Sequence, residues 1–320
     1  MFCLKKLKTV PTIREAIMIV LHTLLHVAHV RKTYSIKSLA ATLARSFRVL
    51  LHFRQHEEML RIGIVRQYLR RAARHDLFYH LSHRHYLANF LTHRERISHA
   101  TFHAQVEDHR FDHGYKEAVY LKDGLLLWEQ VVDGMHFHIR LRMASRVVQE
   151  GDLEVVFYVD RQRLHSFKFT WLDGAAVNQS GTVIPWVTCN QGRTLSRTDA
   201  TDKFSAAFPN NWPKLFCMAA LRGLALANGS EVLIGIAGHA HAHLRKEQET
   251  QFSSSYDQFW QSLRGEQTSR YGYLMPSRLQ DKDLSTVPSK HRKRAETRRR
   301  HWLDIEQSAG EIIRTHLAYR

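Results

Sequence analysis

Three histidines at alternate positions, His239-Ala-His241-Ala-His243, form the tightest cluster of chemically versatile side chains in the sequence. On an extended backbone all three share one face, where neutral imidazoles could hold a transition metal. In a helix only His239 and His243 converge, at i and i+4. No carboxylate stands within the motif, so a metal centre, a substrate-handling role and a plain surface loop all fit it, and no metal is assigned. His83-Arg-His85 and His136-Phe-His138 share that ambiguity. A second candidate is Gln191-Gly192-Arg193, where a strand gives way to a polar loop. A turn there exposes backbone amides to a phosphate, although neither a dinucleotide fingerprint nor a P-loop is present. The third is the run from Lys290 to Arg300, which as a helix offers cations over several turns to lipid or nucleic-acid phosphates. No GxSxG, HExxH, zinc-finger spacing or kinase signature occurs.

The elements that must position these residues change character along the chain. Helical periodicity is expected over 12–30, 38–54, 57–74 and 76–91. The period then shortens, and strands are expected over 117–121, 124–132, 135–143, 153–159 and 164–171. Asp123-Gly124, Asp133-Gly134, Glu150-Gly151 and Asp173-Gly174 supply turns, so these strands pair antiparallel. A strand over 182–189, a helix over about 212–228 stopped by Asn228-Gly229, an apolar strand over 231–237, a helix over 253–263 and a strand over 271–275 follow. The basic run and an amphipathic helix carrying Trp302, Ile305, Ile312, Ile313 and Leu317 end the chain. The fold class is therefore α+β: a helical N-terminal region, a mostly antiparallel twisted sheet with flanking helices, and a C-terminal basic helix.

Charge divides the chain in the same way. Residues 1–115 carry 19 Lys and Arg against 8 Asp and Glu, residues 116–277 carry 17 against 16, and residues 278–320 carry 11 against 6. These bounds are the expected domain limits: a basic helical region, a mixed core and a basic helix packed on it. A net charge of +17 held on two flanks attracts polyanions, either anionic lipid or a phosphate-bearing ligand, with nucleic acid supported by charge alone. Cys3, Cys189 and Cys217 have no paired spacing, which fits a reducing compartment and a cytoplasmic location better than a periplasmic one. The apolar run from Ile17 to Leu25 falls short of the about 20 residues a bilayer span requires. No signal-peptide cleavage pattern follows it, and an amphipathic helix there either packs on the core or lies on the inner membrane with its lysines near headgroups.

Leu81-Ser-His-Arg-His-Tyr86, Glu150-Gly-Asp-Leu-Glu-Val155, Cys189-Asn-Gln-Gly192, Tyr256-Asp-Gln-Phe-Trp260 and Lys290 to Arg300 occur in that order. Together they resemble the VirK/YbjX family, DUF535-type proteobacterial proteins, from about residue 50 onward. Two segments depart from the family pattern: Val183-Ile-Pro-Trp186 replaces a glycine-rich stretch, and Leu263-Arg-Gly265 replaces a double glycine. The resemblance implies a virulence setting, a role in the cell envelope or surface-protein maturation, and resistance to cationic antimicrobial peptides. It carries over no catalytic residues.

The order of elements after residue 116 is similar to the acyl-CoA N-acyltransferase (GNAT-like) fold. That likeness implies an acyl-CoA or another acyl donor, with Gln191, Gly192 and Arg193 facing its phosphates. Tyr256 would act as general acid and His239 as proton relay. A non-enzymatic peripheral membrane or chaperone-like factor is the alternative.

Overall fold

The computed structural model describes residues 47–72, 86–144, 150–192, 199–244, 247, 249–278 and 288–318, with scattered helical positions between 17 and 44. Its elements are α1 (Phe53–Arg61), α2 (His93–Arg110), α3 (His113–Leu121), β1 (Leu125–Val132), β2 (Met135–Met143), β3 (Leu153–Val159), β4 (Gln162–Asp173) and β5 (Val183–Gly192). There follow α4 (Asp199–Ala207), α5 (Pro213–Ala227), β6 (Val232–Gly235), α6 (Gln258–Ser262), β7 (Glu266–Ser269), β8 (Gly272–Pro276) and α7 (Ser289–Thr315). The α+β class and the antiparallel majority hold. The eight strands form one sheet in the order β1-β2-β3-β4-β5-β6-β8-β7, antiparallel except where β5 meets β6.

Local chemistry explains both the agreements and the departures. The Asp133-Gly134 turn between β1 and β2 has both residues at positive φ, as a two-residue hairpin requires. The strand expected over 117–121 is instead the end of α3. Asp112 caps that helix by accepting the Tyr115 amide at 2.8 Å, and turns beginning there bury Tyr115, Val119 and Tyr120. A five-residue window could not separate the two periods. The helix expected over 57–74 is broken at Ile62, whose ψ of 131° is extended, and resumes through a π turn over Val65–Leu69. Of the helix expected over 76–91, residues 73–85 lie outside the described residues. Tyr86–Phe90 is a turn in which Leu87 sits at φ 62° and Ala88 bridges His241. The long helix α2 lay in a stretch with no expected element. Its start is a reciprocal capping box: Thr92 accepts the Glu95 amide at 3.3 Å, and Glu95 accepts the Thr92 amide at 2.8 Å.

α2 packs along β4, where the buried Glu107 accepts hydrogen bonds from Trp171 (2.6 Å), Tyr120 (2.8 Å) and Tyr115 (3.2 Å). α5 packs on β3 and β4 through Phe216, which meets Phe157 edge-on. The basic helix α7 lies on α5 and reaches β1, with Trp128 Nε1 donating to Asp304 at 2.8 Å and Ser308 donating to the Leu127 carbonyl at 2.9 Å. Gly223 allows α5 and α7 to touch, because a Cβ there would fall 2.1 Å from the Glu306 carbonyl oxygen. One apolar cluster runs from Val49 through the sheet to Ile313.

Candidate functional site

Residues opposite each other in register share a sheet face. Arg142 pairs with Glu154, Glu154 with Lys168, and Lys168 with Cys189, so a polar row crosses four strands. At its outer end Glu154, fully buried, is held by Arg142 and Arg163, each at 3.1 Å. At its inner end the β4–β5 register skips Thr188, stepping from Phe169–Val187 to Lys168–Cys189. A bulge of this kind re-aims the side chains beyond it, and here it sets Cys189 opposite Lys168.

Around this point five elements converge. Just before β3, Glu150 approaches β4 closely, because Gly151 lies against it: a Cβ on Gly151 would meet the Phe169 nitrogen at 2.9 Å. The Glu150 carboxylate receives Lys168 Nζ at 2.8 Å, with both side chains buried. The Cys189 thiol lies within 4.8 Å of the Glu150 carboxylate, and the Tyr256 phenol stands close enough to interact with it. Tyr256 sits in a π turn, Ser253–Asp257, leading into α6, and its oxygen accepts the Asn190 amide at 3.0 Å. From the loop after β6, His241 places Nε2 3.4 Å from Glu150, with its ring 5.1 Å from that of Tyr256. The His243 amide donates to His241 Nδ1 at 3.2 Å, so the neutral ring carries its proton on Nε2, toward Glu150.

Burial dominates the electrostatics. It pushes the Cys189 thiol well above its ordinary range, reinforced by Glu150, and the Tyr256 phenol likewise, reinforced by Cys189. The His241 imidazole is lowered to about 4, chiefly by burial. Burial also opposes ionisation of Glu150, but Lys168 outweighs it and the carboxyl ends below its ordinary value. At neutral pH the cluster is thus a carboxylate–ammonium pair surrounded by a thiol, a phenol and a neutral imidazole. It holds protons to give and has no activated thiolate.

Candidate metal-ligand atoms of Glu150, Cys189 and His241 lie within 4.8 Å of one another. Lys168 already pairs with the Glu150 carboxylate at 2.8 Å, and no metal is assigned to the three.

Of the residues singled out from sequence, Tyr256 lies inside this cluster. His239 does not: its side chain is exposed, while its carbonyl accepts Asn89 Nδ2 at 2.8 Å. Gln191 and Gly192 are exposed at the end of β5, with the Arg163 guanidinium 3.5 Å from the Gln191 side-chain Oε1. Arg193, His83 and His85 lie outside the described residues. The His136 and His138 rings stack at 4.6 Å, and His136 contacts Glu129 at 2.8 Å, within the β1–β2 hairpin. Glu150 and Lys168 were not singled out as site residues. Glu150 read as half of a turn, and Lys168 as one polar step in an alternating strand.

Four of the five stretches on which the resemblance rests meet here, the first through Tyr86, while Lys290 to Arg300 lies apart on α7. Tyr86 donates to Asp152 at 2.7 Å, Glu150 meets Lys168 and His241, Asn190 meets Tyr256, and Trp260 Nε1 donates to the Ile236 carbonyl at 2.8 Å. The Gly238 amide donates to Asp257 at 2.7 Å, so Tyr256-Asp-Gln-Phe-Trp260 ties together the ends of β5 and β6. No curated protein and no solved structure matches the chain. The sequence profile of the family described as "Protein of unknown function (DUF535)" matches residues 35–311. The chain belongs to that family, which contains the VirK/YbjX proteins.

Proposed function

We propose that this protein is a virulence-associated envelope factor that works at the cytoplasmic side of the inner membrane through an acyl-transfer site of the N-acyltransferase kind. The observation that carries the reading is the parting of β5 and β6. Their parallel register comprises only Trp186–Ile234 and Val187–Gly235, after which β5 runs on to Gly192 without β6 beside it. In the GNAT-like arrangement an acyl thioester enters such a parting, and the strand order β5-β6-β8-β7 agrees with that arrangement. Tyr256 stands at the opening. Because its oxygen accepts the Asn190 amide, its own proton is available for donation. In the reaction an acceptor amine attacks the thioester carbonyl, the carbon–sulfur bond breaks, and Tyr256 gives its proton to the departing sulfur. The amine's proton passes to water, which returns one to Tyr256. Gln191 and Gly192, exposed at the strand end, face the donor's phosphates, with Arg193 following them.

Acetyl-CoA and palmitoyl-CoA incubated with the purified chain and amine acceptors should release free thiol. Tyr256→Phe should slow that release by about a hundredfold with donor binding retained. If CoA, acyl-CoA and aminoacyl-tRNA all fail to bind, the reading fails.

A second reading, a non-enzymatic factor docked on anionic lipid, is favoured by a different observation. Ile17, Leu21, Leu24, Leu25, Phe47 and Leu51 are each at least half exposed, in the most basic third of the chain. No helix among the described residues is long and apolar enough to cross a membrane. Flotation with phosphatidylglycerol vesicles that is lost at high salt, and after charge reversal over 290–300, is the result this reading expects. Flotation independent of lipid charge excludes it.

A further inference from the structure

The N-terminal end of α5 leaves its positive groups without a negative counterpart. Trp212 supplies no side-chain cap, Pro213 has no N–H, and the Leu215 amide turns back to the Trp212 carbonyl at 2.9 Å. The Lys214 amide donates to no group among the described residues. A helix start carries partial positive charge and favours acidic side chains, yet the first turn of α5 has none and holds a lysine instead. The Lys214 side chain is half-buried, and burial alone pulls its pKa down, with no carboxylate acting on it. Its ammonium lies 4.5 Å from the Phe259 ring centre and 5.8 Å from that of Trp212.

A separate observation comes from the strand beneath. His165 on β4 is 7% exposed, and its Nε2 is buried without a hydrogen-bond partner. α5 lies against this residue, with the Cys217 thiol 3.8 Å from the His165 carbonyl oxygen. The Nδ1 edge of the ring is turned to Gly192, its register partner, where a Cβ would stand 3.2 Å from that nitrogen. The ring meets Phe167 edge-on, Phe167 stacks on Phe259, and Lys214 covers Phe259, so imidazole and ammonium flank one aromatic pair. Burial lowers the imidazole to about 3, and the neighbouring Lys214 charge adds to the effect.

We infer that the start of α5 binds the phosphate of a nucleotide. The Lys214 ammonium, the Lys214 amide and the His165 ring nitrogen are three donors from two elements, and a phosphate dianion satisfies them together with the helix dipole. A neutral imidazole holds one proton, and a phosphate oxygen at Nε2 draws it to that nitrogen. Trp212, 60% exposed and next to Pro213, gives the base a ring on which to stack. The inference goes beyond the acyl-transfer reading, because it requires no thioester and no step at Tyr256.

The test is calorimetric titration of the full chain with AMP, adenosine and inorganic phosphate. AMP should bind more tightly than either of its parts. Lys214→Gln should weaken AMP binding at least roughly tenfold, equivalent to about 1.4 kcal/mol. Lys214→Arg keeps the charge and should stay within about threefold of the unaltered chain. Lys203→Gln removes a lysine that is ion-paired with Asp199 on α4, and should also change binding less than about threefold. Trp212→Ala should cut the preference for AMP over inorganic phosphate at least about fivefold. No AMP binding below about 1 mM, equal losses in Lys203→Gln and Lys214→Gln, inorganic phosphate bound as tightly as AMP, or an undiminished preference in Trp212→Ala would overturn the inference.

Discussion

Glu150 and Lys168 carry opposite charges into a place where neither could stay alone. Each is nearly inaccessible to solvent, and their 2.8 Å contact compensates the desolvation of both. Glu150→Gln should therefore cost roughly 3–5 kcal/mol in urea denaturation, because it removes the carboxylate that compensates the buried Lys168 ammonium. The double change Glu150→Leu/Lys168→Met should recover a large part of that loss. The Glu150 pKa is depressed in the folded chain, so its contribution is present above the ordinary carboxylate range and is lost as pH falls through the lowered value. The sequence made Tyr256 legible through its place in the order of elements. Glu150 and Lys168 were not legible, because their contact joins positions on either side of β3. Alternation treats His239 and His241 alike. Only the path of the loop, with Ala88 bridging His241, turns one inward and leaves the other in solvent.

Among the elements, α7 is both a charged surface and a structural strut. Its charged outer positions were plain in the sequence, but its seat on α5 rests on a glycine contact that no periodicity marks. Gly223→Ala should destabilise by about 1–3 kcal/mol, measured by thermal denaturation, since the new methyl group meets the backbone of α7. α2 makes a contrasting case. Thr92 and Glu95 were a readable start signal, whereas four histidines along the helix (His93, His99, His103 and His109) obscured its apolar stripe. Thr92→Ala should cost about 1 kcal/mol through loss of the cap. A change below a few tenths would mean that packing on β4 holds the first turn without it.

At the scale of the whole molecule, the histidine-rich composition acquires a direction. Burial lowers His56 to about 4, His165 to about 3 and His241 to about 4. The unfolded chain takes up protons on these rings below about 6.5, while the folded chain refuses them until well below that pH. Stability is therefore full above pH 6.5 and declines as pH falls toward 4, by about 1.4 kcal/mol per pH unit for each ring and roughly 4 for the three. Urea midpoints at pH 7, 6 and 5 read this directly, and a flat profile would mean that the rings become charged inside the fold. Composition, alternation and turn residues were enough to determine the α+β class, the antiparallel hairpins and the basic C-terminal helix, because those properties depend on neighbours close in the chain. The tertiary structure alone decided which polar groups meet. Burial, the skipped residue in β5 and the parting of β5 from β6 arise from contacts between positions about twenty to fifty residues apart and more, where local periodicity carries no information.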